Sequence, residues 1–257
     1  MQARRHLRTT NREITAFKEG KSYTIVRDGN AVPLQNLYQC HFLERFPAER
    51  LGLAVGDCAR NAKAALDFLI GVLAGSDDKC YLQFPVCSDV NQFDSTMKRW
   101  TSRGIKIHKS AMAELANFQP YQHPNPKAAP LWLLNELVER DKRTIIRTVF
   151  INNTDPRESG VAPSSNATSQ HERCESEAER KPLEKYQGAD LIKVRARLPR
   201  RTSELGHDSS VHFEVAFEPT IFGGACYVRA CMASIVKMVH EVITRFETLL
   251  ESNPHWT

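Results

Sequence analysis

No stretch of this 257-residue chain stays apolar for long. A helix that crosses a bilayer needs about 20 nearly unbroken apolar residues, and the longest candidate, residues 66–73, is far shorter. The opening MQARRHLRTTNREITAFKEGK carries basic residues with no apolar segment behind them, so it does not read as a signal peptide. Also missing is any Cys-x-x-Cys pair. The seven cysteines (40, 58, 80, 87, 174, 226 and 231) form an odd set, which argues against a disulfide framework and gives a zinc site little support. Cys58, Cys226 and Cys231 fall within helical patterns, where a free thiol behaves as a small apolar group. There is no metal-ligand spacing, serine nucleophile elbow or dinucleotide fingerprint. Gly223-Gly224 precedes a helix but lacks the lysine and spacing of a phosphate loop, and reads as a turn. These absences point to a cytoplasmic protein with no metal, no cofactor and no membrane contact.

What is present is an ordinary globular composition, with periodicities that alternate between helix and strand. Residues 1–19 predict a helix with Ile14 and Phe17 on its apolar face and Gly20 as its stop. Short strands follow at 22–26 and 37–42. Pro47 then opens a long helix over 48–73, closed by Gly75, with apolar residues at 51, 55, 58, 62, 65, 69 and 73. Helices are expected at 91–102 and 110–117, broken at Gly104, and at 131–142 behind Pro130. The β-branched run 144–151 predicts a strand. Residues 154–185 are nearly devoid of apolar side chains and read as a disordered or flexible insertion. Strands at 190–198 and 210–217 follow; in the second, Val211, Phe213, Val215 and Phe217 share one face, as a sheet covered on one side requires. A final helix spans 226–251, with Val228, Cys231, Ile235, Met238, Val242, Phe246 and Leu249 as its stripe. The expectation is one α+β domain over 1–257, about five helices packed beside a small, mostly antiparallel sheet.

The helix at 48–73 is where the polar residues are unusual. It carries Asp57, Arg60, Asn61, Lys63 and Asp67 among alanines 59, 62, 64 and 65. Lys63 and Asp67 stand one turn apart and read as an ordinary surface pair worth a few tenths of a kcal/mol. The alanine density, however, lets other backbone come close, which would bury some of these groups and oblige them to find partners.

These residues sit in a recognisable order. Gly56-Asp57, Asn61, Ala65-Leu66-Asp67 and Leu69 are followed by Phe84-Pro85, by Gln119-Pro120-Tyr121, and by Pro130-Leu131-Trp132-Leu133-Leu134 through Asp141-Lys142. Over residues 48–145 the chain resembles a large family of uncharacterised bacterial proteins. Its central helix reads roughly G-D-x-x-H-N-L-R-S-A-L-D-H-L and its later helix ends in D-K-H-R. The R-S-A-L-D-H segment is in turn similar to the arginine-then-histidine signature of the HEPN superfamily. Those are helical proteins, many of them metal-independent RNA-cutting toxins and often dimers. The resemblance implies a HEPN-like helical core and a homodimer.

The chain departs from that pattern where the chemistry would be done. Lys63 stands at the arginine, Phe68 at the second histidine, Arg60 at the first histidine and Arg143 at the histidine of D-K-H-R. Lysine keeps the charge but loses the planar fork that grips phosphate, and phenylalanine cannot carry a proton. The reading is therefore a non-catalytic binding or interaction module with an RNA or protein partner. Its binding candidates are Asp57, Arg60, Asn61, Lys63, Asp67, Asp141, Lys142 and Arg143, with Asp57 or Asp67 pairing to Lys142 or Arg143. The alternative is a metal-independent endoribonuclease or toxin with a variant site of Lys63, Asp67, Asp57 and Arg143. A third reading, a sequence-independent nucleic-acid binder, rests on Lys193, Arg195 and Arg197 along one strand face, continued by Arg200 and Arg201. The net charge of +5 permits such a partner, and a solvated surface accounts for it as well.

Overall fold

The computed structural model of the chain describes residues 2–20, 23–27, 38–42, 44, 46–75, 82–153, 212–222 and 226–252. Its order is α1 (Gln2–Glu19), β1 (Tyr23–Arg27), β2 (Tyr38–Phe42), α2 (Ala48–Leu73), α3 (Val90–Ser102), α4 (Lys109–Asn117), α5 (Pro130–Asp141), β3 (Thr148–Asn153), β4 (His212–Phe217), α6 (Pro219–Phe222) and α7 (Val228–Glu251). Two single 3-10 turns, Pro120–Gln122 and Pro126–Ala128, fill the link between α4 and α5. The fold is α+β with helix predominating, as the periodicities predict. Among the described residues the strands form two two-stranded sheets, β1 with β2 and β3 with β4. No helix among the described residues is long and apolar enough to cross a membrane. The insertion 154–185, the strand expected at 190–198 and the basic residues Lys193, Arg195, Arg197, Arg200 and Arg201 lie outside the described residues.

The chain divides into two compact units, 12–48 with 149–216, and 1–11 with 49–148 and 217–257. In the first, β1 and β2 are antiparallel, with Ile25 opposite Cys40 at the centre of the register. Phe17 of α1 meets Phe46 edge-on at 5.2 Å between ring centroids, and Lys18 pairs with Glu214 of β4 at 2.8 Å. Val215 is buried as its face predicts, yet so is Ala216 beside it. This end of β4 is therefore covered on both sides rather than on one. β3 starts later than its β-branched run suggests. Thr144 donates its N–H to the Arg140 carbonyl at 2.9 Å, closing α5, and Arg147 accepts from Glu218 N at 3.1 Å, so the first residues of the run form a link.

The larger unit is built on α2. Leu51, Val55, Cys58, Ala59, Ala62, Leu66, Leu69, Ile70 and Leu73 are buried on it. The strict three-or-four step places Ala65 on this stripe, but 3.6 residues per turn rotates that position to the margin. Ala65 is half-buried and Leu66 takes its place. Burying each such leucine contributes about 1.5–3 kcal/mol. The Cys58 thiol donates to the Ala3 carbonyl at 3.2 Å, and burial pushes its pKa up to about 12, so it packs as a neutral group.

α3 opens on Asp89, whose carboxylate accepts from Gln92 N at 2.8 Å. The break after it holds Gly104 at φ +78°, a conformation that favours glycine. Pro130 takes the first position of α5, where its missing N–H costs nothing. α5 packs against α7. Phe222 of α6 lies 6.4 Å from Trp132 of α5 and 5.3 Å from Phe217, between ring centroids. α7 begins at Val228, the first residue of its stripe and two residues after the expected start at 226, because Tyr227 is extended and the Cys226 carbonyl is already held by Phe217 N at 2.9 Å.

One helical glycine in α2 is a close-approach site. A Cβ on Gly52 would overlap the Ile146 carbonyl oxygen and stand 2.8 Å from Ile145 Cγ2. Two effects compete in Gly52→Ala. Helix propensity alone gains about 1 kcal/mol, while forcing backbone apart in a packed site costs about 1–3 kcal/mol. The overlap is with backbone, so the loss wins. Chemical denaturation of Gly52→Ala should show a lower midpoint than the parent chain, and a raised midpoint would contradict the close approach.

Candidate functional site

The polar residues of α2 separate into an inner and an outer group. The inner group is Lys63 with Asp67. Lys63 keeps only 10% of its side chain exposed, and its ammonium pairs with Asp67 Oδ1. The same oxygen accepts the Phe84 N–H at 2.7 Å, and Lys63 Nζ reaches the Phe84 carbonyl at 3.4 Å. The pair thus supplies one acceptor and one donor to the two backbone groups of a single residue. Phe84 and Pro85 are themselves buried, and an extended segment buried without such partners would leave its backbone unsatisfied. This is not the surface pair expected from the spacing. Burial changes its magnitude, because losing one partner strands the other.

The outer group centres on Arg60, whose side chain is 53% exposed. Its guanidinium donates to Asp57 Oδ1 at 2.6 Å and also pairs with Asp141 at the end of α5. The Asp57 hydrogen bond first, then the charges of Asp141 and Asp57, hold the Arg60 pKa above its ordinary value. The Asp141 side chain is only 6% exposed. It sits directly over Gly56, where a Cβ would overlap the carboxylate. The glycine at 56 therefore makes room for the carboxylate at 141. Asn61 turns back on its own helix, donating to the Asp57 carbonyl at 2.8 Å.

α5 does come to the polar face of α2, but through its aspartate rather than its cations. The expected pairing of Asp57 or Asp67 with Lys142 or Arg143 is replaced. Asp57 pairs with Arg60 and Asp67 with Lys63, while Lys142 pairs with Glu139 at 2.6 Å. Arg143 is exposed. The Lys142 hydrogen bond, with smaller contributions from the charges of Lys142, Arg143 and Lys63, lowers the Glu139 pKa. This cationic edge has one carboxylate already committed to it.

Gln119, the first residue of the Gln119-Pro120-Tyr121 motif, is a further joint, to which the sequence assigns no role. It is buried, donates to the Leu115 carbonyl at 3.0 Å, and accepts the Cys87 N–H at 3.0 Å. The segment running from Phe84 to Cys87 is therefore held from both sides, by Asp67 at one end and Gln119 at the other. Phe68 faces the other way and is 74% exposed. Among the described residues no cluster of three or more His, Cys, Asp or Glu could hold a metal. Comparison with models of protein families, with curated proteins and with solved structures finds no match in any of the three.

Chemically, Lys63 and Asp67 are occupied by main chain, whereas Asp57, Arg60, Asn61 and Arg143 reach water. The inner pair is the part whose removal the fold should feel. Asp67→Ala leaves a nearly buried ammonium and the Phe84 N–H unpaired, and should lower the unfolding free energy by about 2–4 kcal/mol. Lys63→Ala/Asp67→Ala should cost less than the two single changes added together. Additive losses in urea denaturation would mean that the two side chains are not coupled.

Proposed function

We propose that the chain is a non-catalytic, HEPN-like binding or interaction module of a bacterial cytoplasm, working as a homodimer on an RNA or protein partner. The observation that carries this reading is Phe68. In the resembled pattern this position holds the histidine, and here a carbon ring 74% exposed to solvent stands there, with no nitrogen to take or give a proton. Lys63 adds to it. The charge at the arginine position is bound to Asp67 and to the Phe84 carbonyl, and is nearly closed off from water. Among the described residues, the side-chain hydrogen bonds of Lys63 and Asp67 go to each other and to Phe84, and none goes to a histidine.

A ribonuclease with a variant site of Lys63, Asp67, Asp57 and Arg143 is the second reading, favoured by the exposure of Arg143. The planar fork of an arginine suits phosphate. Incubation of the full chain with labelled single-stranded RNA in chelator separates the two. The module should leave the RNA intact over hours. Efficient cutting that disappears in Arg143→Ala, a solvent-facing change, would establish the ribonuclease and overturn the module.

A further inference from the structure

Two of the cysteines meet at the start of α7. The helix takes Tyr227 as its N-cap, so Cys226 stands one residue before the cap and Cys231 at the fourth helical position. Side chains at those two positions pack together across the first turn of a helix, where an apolar pair commonly fixes the entry of the chain. Here both are free thiols, and they share a hydrogen bond. The main chain beside each is held as well. The Cys226 carbonyl accepts from Phe217 N at 2.9 Å, and Cys231 N donates to the Tyr227 carbonyl at 2.9 Å.

The two sulfurs differ in access and in acidity. Cys231 is 4% exposed, whereas Cys226 is half-buried. The hydrogen bond to Cys226, then burial, raises the Cys231 pKa, so that its proton stays on. The same bond lowers the Cys226 pKa against the opposing effect of burial. Cys231 is therefore the S–H donor, and Cys226 is the sulfur that ionises first. A partly exposed thiol that ionises beside a covered, protonated one has the disposition of an attacking cysteine and its resolving partner. Cys58 and Cys87 lack both features, since each is buried and burial raises its pKa.

We propose that Cys226 and Cys231 form a redox-modification site, a dithiol that a hydroperoxide converts to an intrachain disulfide. The Cys226 thiolate attacks hydrogen peroxide: an S–O bond forms, the O–O bond breaks, and the departing hydroxide takes up the proton that Cys226 released. The resulting sulfenic acid condenses with Cys231. In that step the S–S bond forms, the S–O bond breaks, and the hydroxyl leaves with the Cys231 proton as a second water. The two sulfurs together lose two electrons and the peroxide gains them. An added dithiol reverses the change by thiol–disulfide exchange. In a reducing compartment such a disulfide is transient, as redox sensing requires. The inference stands apart from the binding module proposed above.

Peptide mapping tests it, because trypsin cuts after Arg229 and leaves the two cysteines in different peptides, 202–229 and 230–237. The reduced full chain is treated with a small excess of hydrogen peroxide at neutral pH, blocked with iodoacetamide, unfolded and digested. Mass spectrometry should find the two peptides joined, and dithiothreitol should part them. Joining should run at least about tenfold faster than oxidation of Cys58 or Cys87, because the rate follows thiolate character and access. In Cys231→Ser the sulfenic acid should persist on Cys226 and be trapped by dimedone, and in Cys226→Ser the Cys231 thiol should survive. Circular dichroism checks that both variants keep their helices. Peptides that stay apart, with Cys226 recovered as a free thiol, would overturn the site. Cys226 joined to another cysteine would overturn the pair, and dimedone trapping on Cys231 in Cys226→Ser would overturn the roles assigned to the two sulfurs.

Discussion

A single carboxylate oxygen, Asp67 Oδ1, accepts both the Lys63 ammonium and the Phe84 N–H. Much of the larger unit depends on that arrangement. α2 carries glycine where two groups come close to it, the Ile146 carbonyl at Gly52 and the Asp141 carboxylate at Gly56. Backbone brought against a helix must find hydrogen-bond partners. Asp67 and Lys63 are the side chains that provide them for the segment at Phe84, and Gln119 does the same for Cys87 two elements away. At the other end of the face Asp141 fits into the space left by Gly56 and binds Arg60. The polar residues of α2 are thus mostly joints between elements, set among small residues for a steric reason.

That division constrains function. A lysine spent on a main-chain carbonyl and an aspartate spent on a main-chain N–H cannot also serve a ligand without loosening the segment they hold. The groups that remain open to water, Asp57, Arg60, Asn61 and Arg143, have no titratable imidazole among them. They suit recognition of a partner better than transfer of a proton. Leu53 and Phe68, both exposed, lie on the same face of the helix as the first three.

How much of this was legible in the sequence varies with the kind of signal. The limits of α2 were, because Pro47 and Gly75 punctuate a strong 3.6-residue period, and the helix observed is Ala48–Leu73. The i to i+4 pairing of Lys63 with Asp67 was legible too. Its burial was not, because what covers it is the extended segment around Phe84, which has no periodicity and engages through backbone atoms that side-chain identity does not encode. At the end of α5 the expected contact falls on the cations Lys142 and Arg143, whereas Asp141 makes it. Asp141 and the cations after it are 100° apart per residue on the helix, and only coordinates decide which of them points at α2. The late start of β3 has a similar origin. A β-branched run states a preference, and the hydrogen bonds that close α5 and hold Arg147 override it.

The central claim is that the Lys63–Asp67 pair is a structural clasp on main chain, and the amide of Phe84 reports on it most directly. Residue-resolved hydrogen exchange under native conditions should find that amide protected to the level of the buried turns of α2, opening only with the unfolding of that helix. Exchange at the rate of an unstructured peptide would mean that the segment is unclasped and that Asp67 is free to face a ligand, contrary to the account given for it.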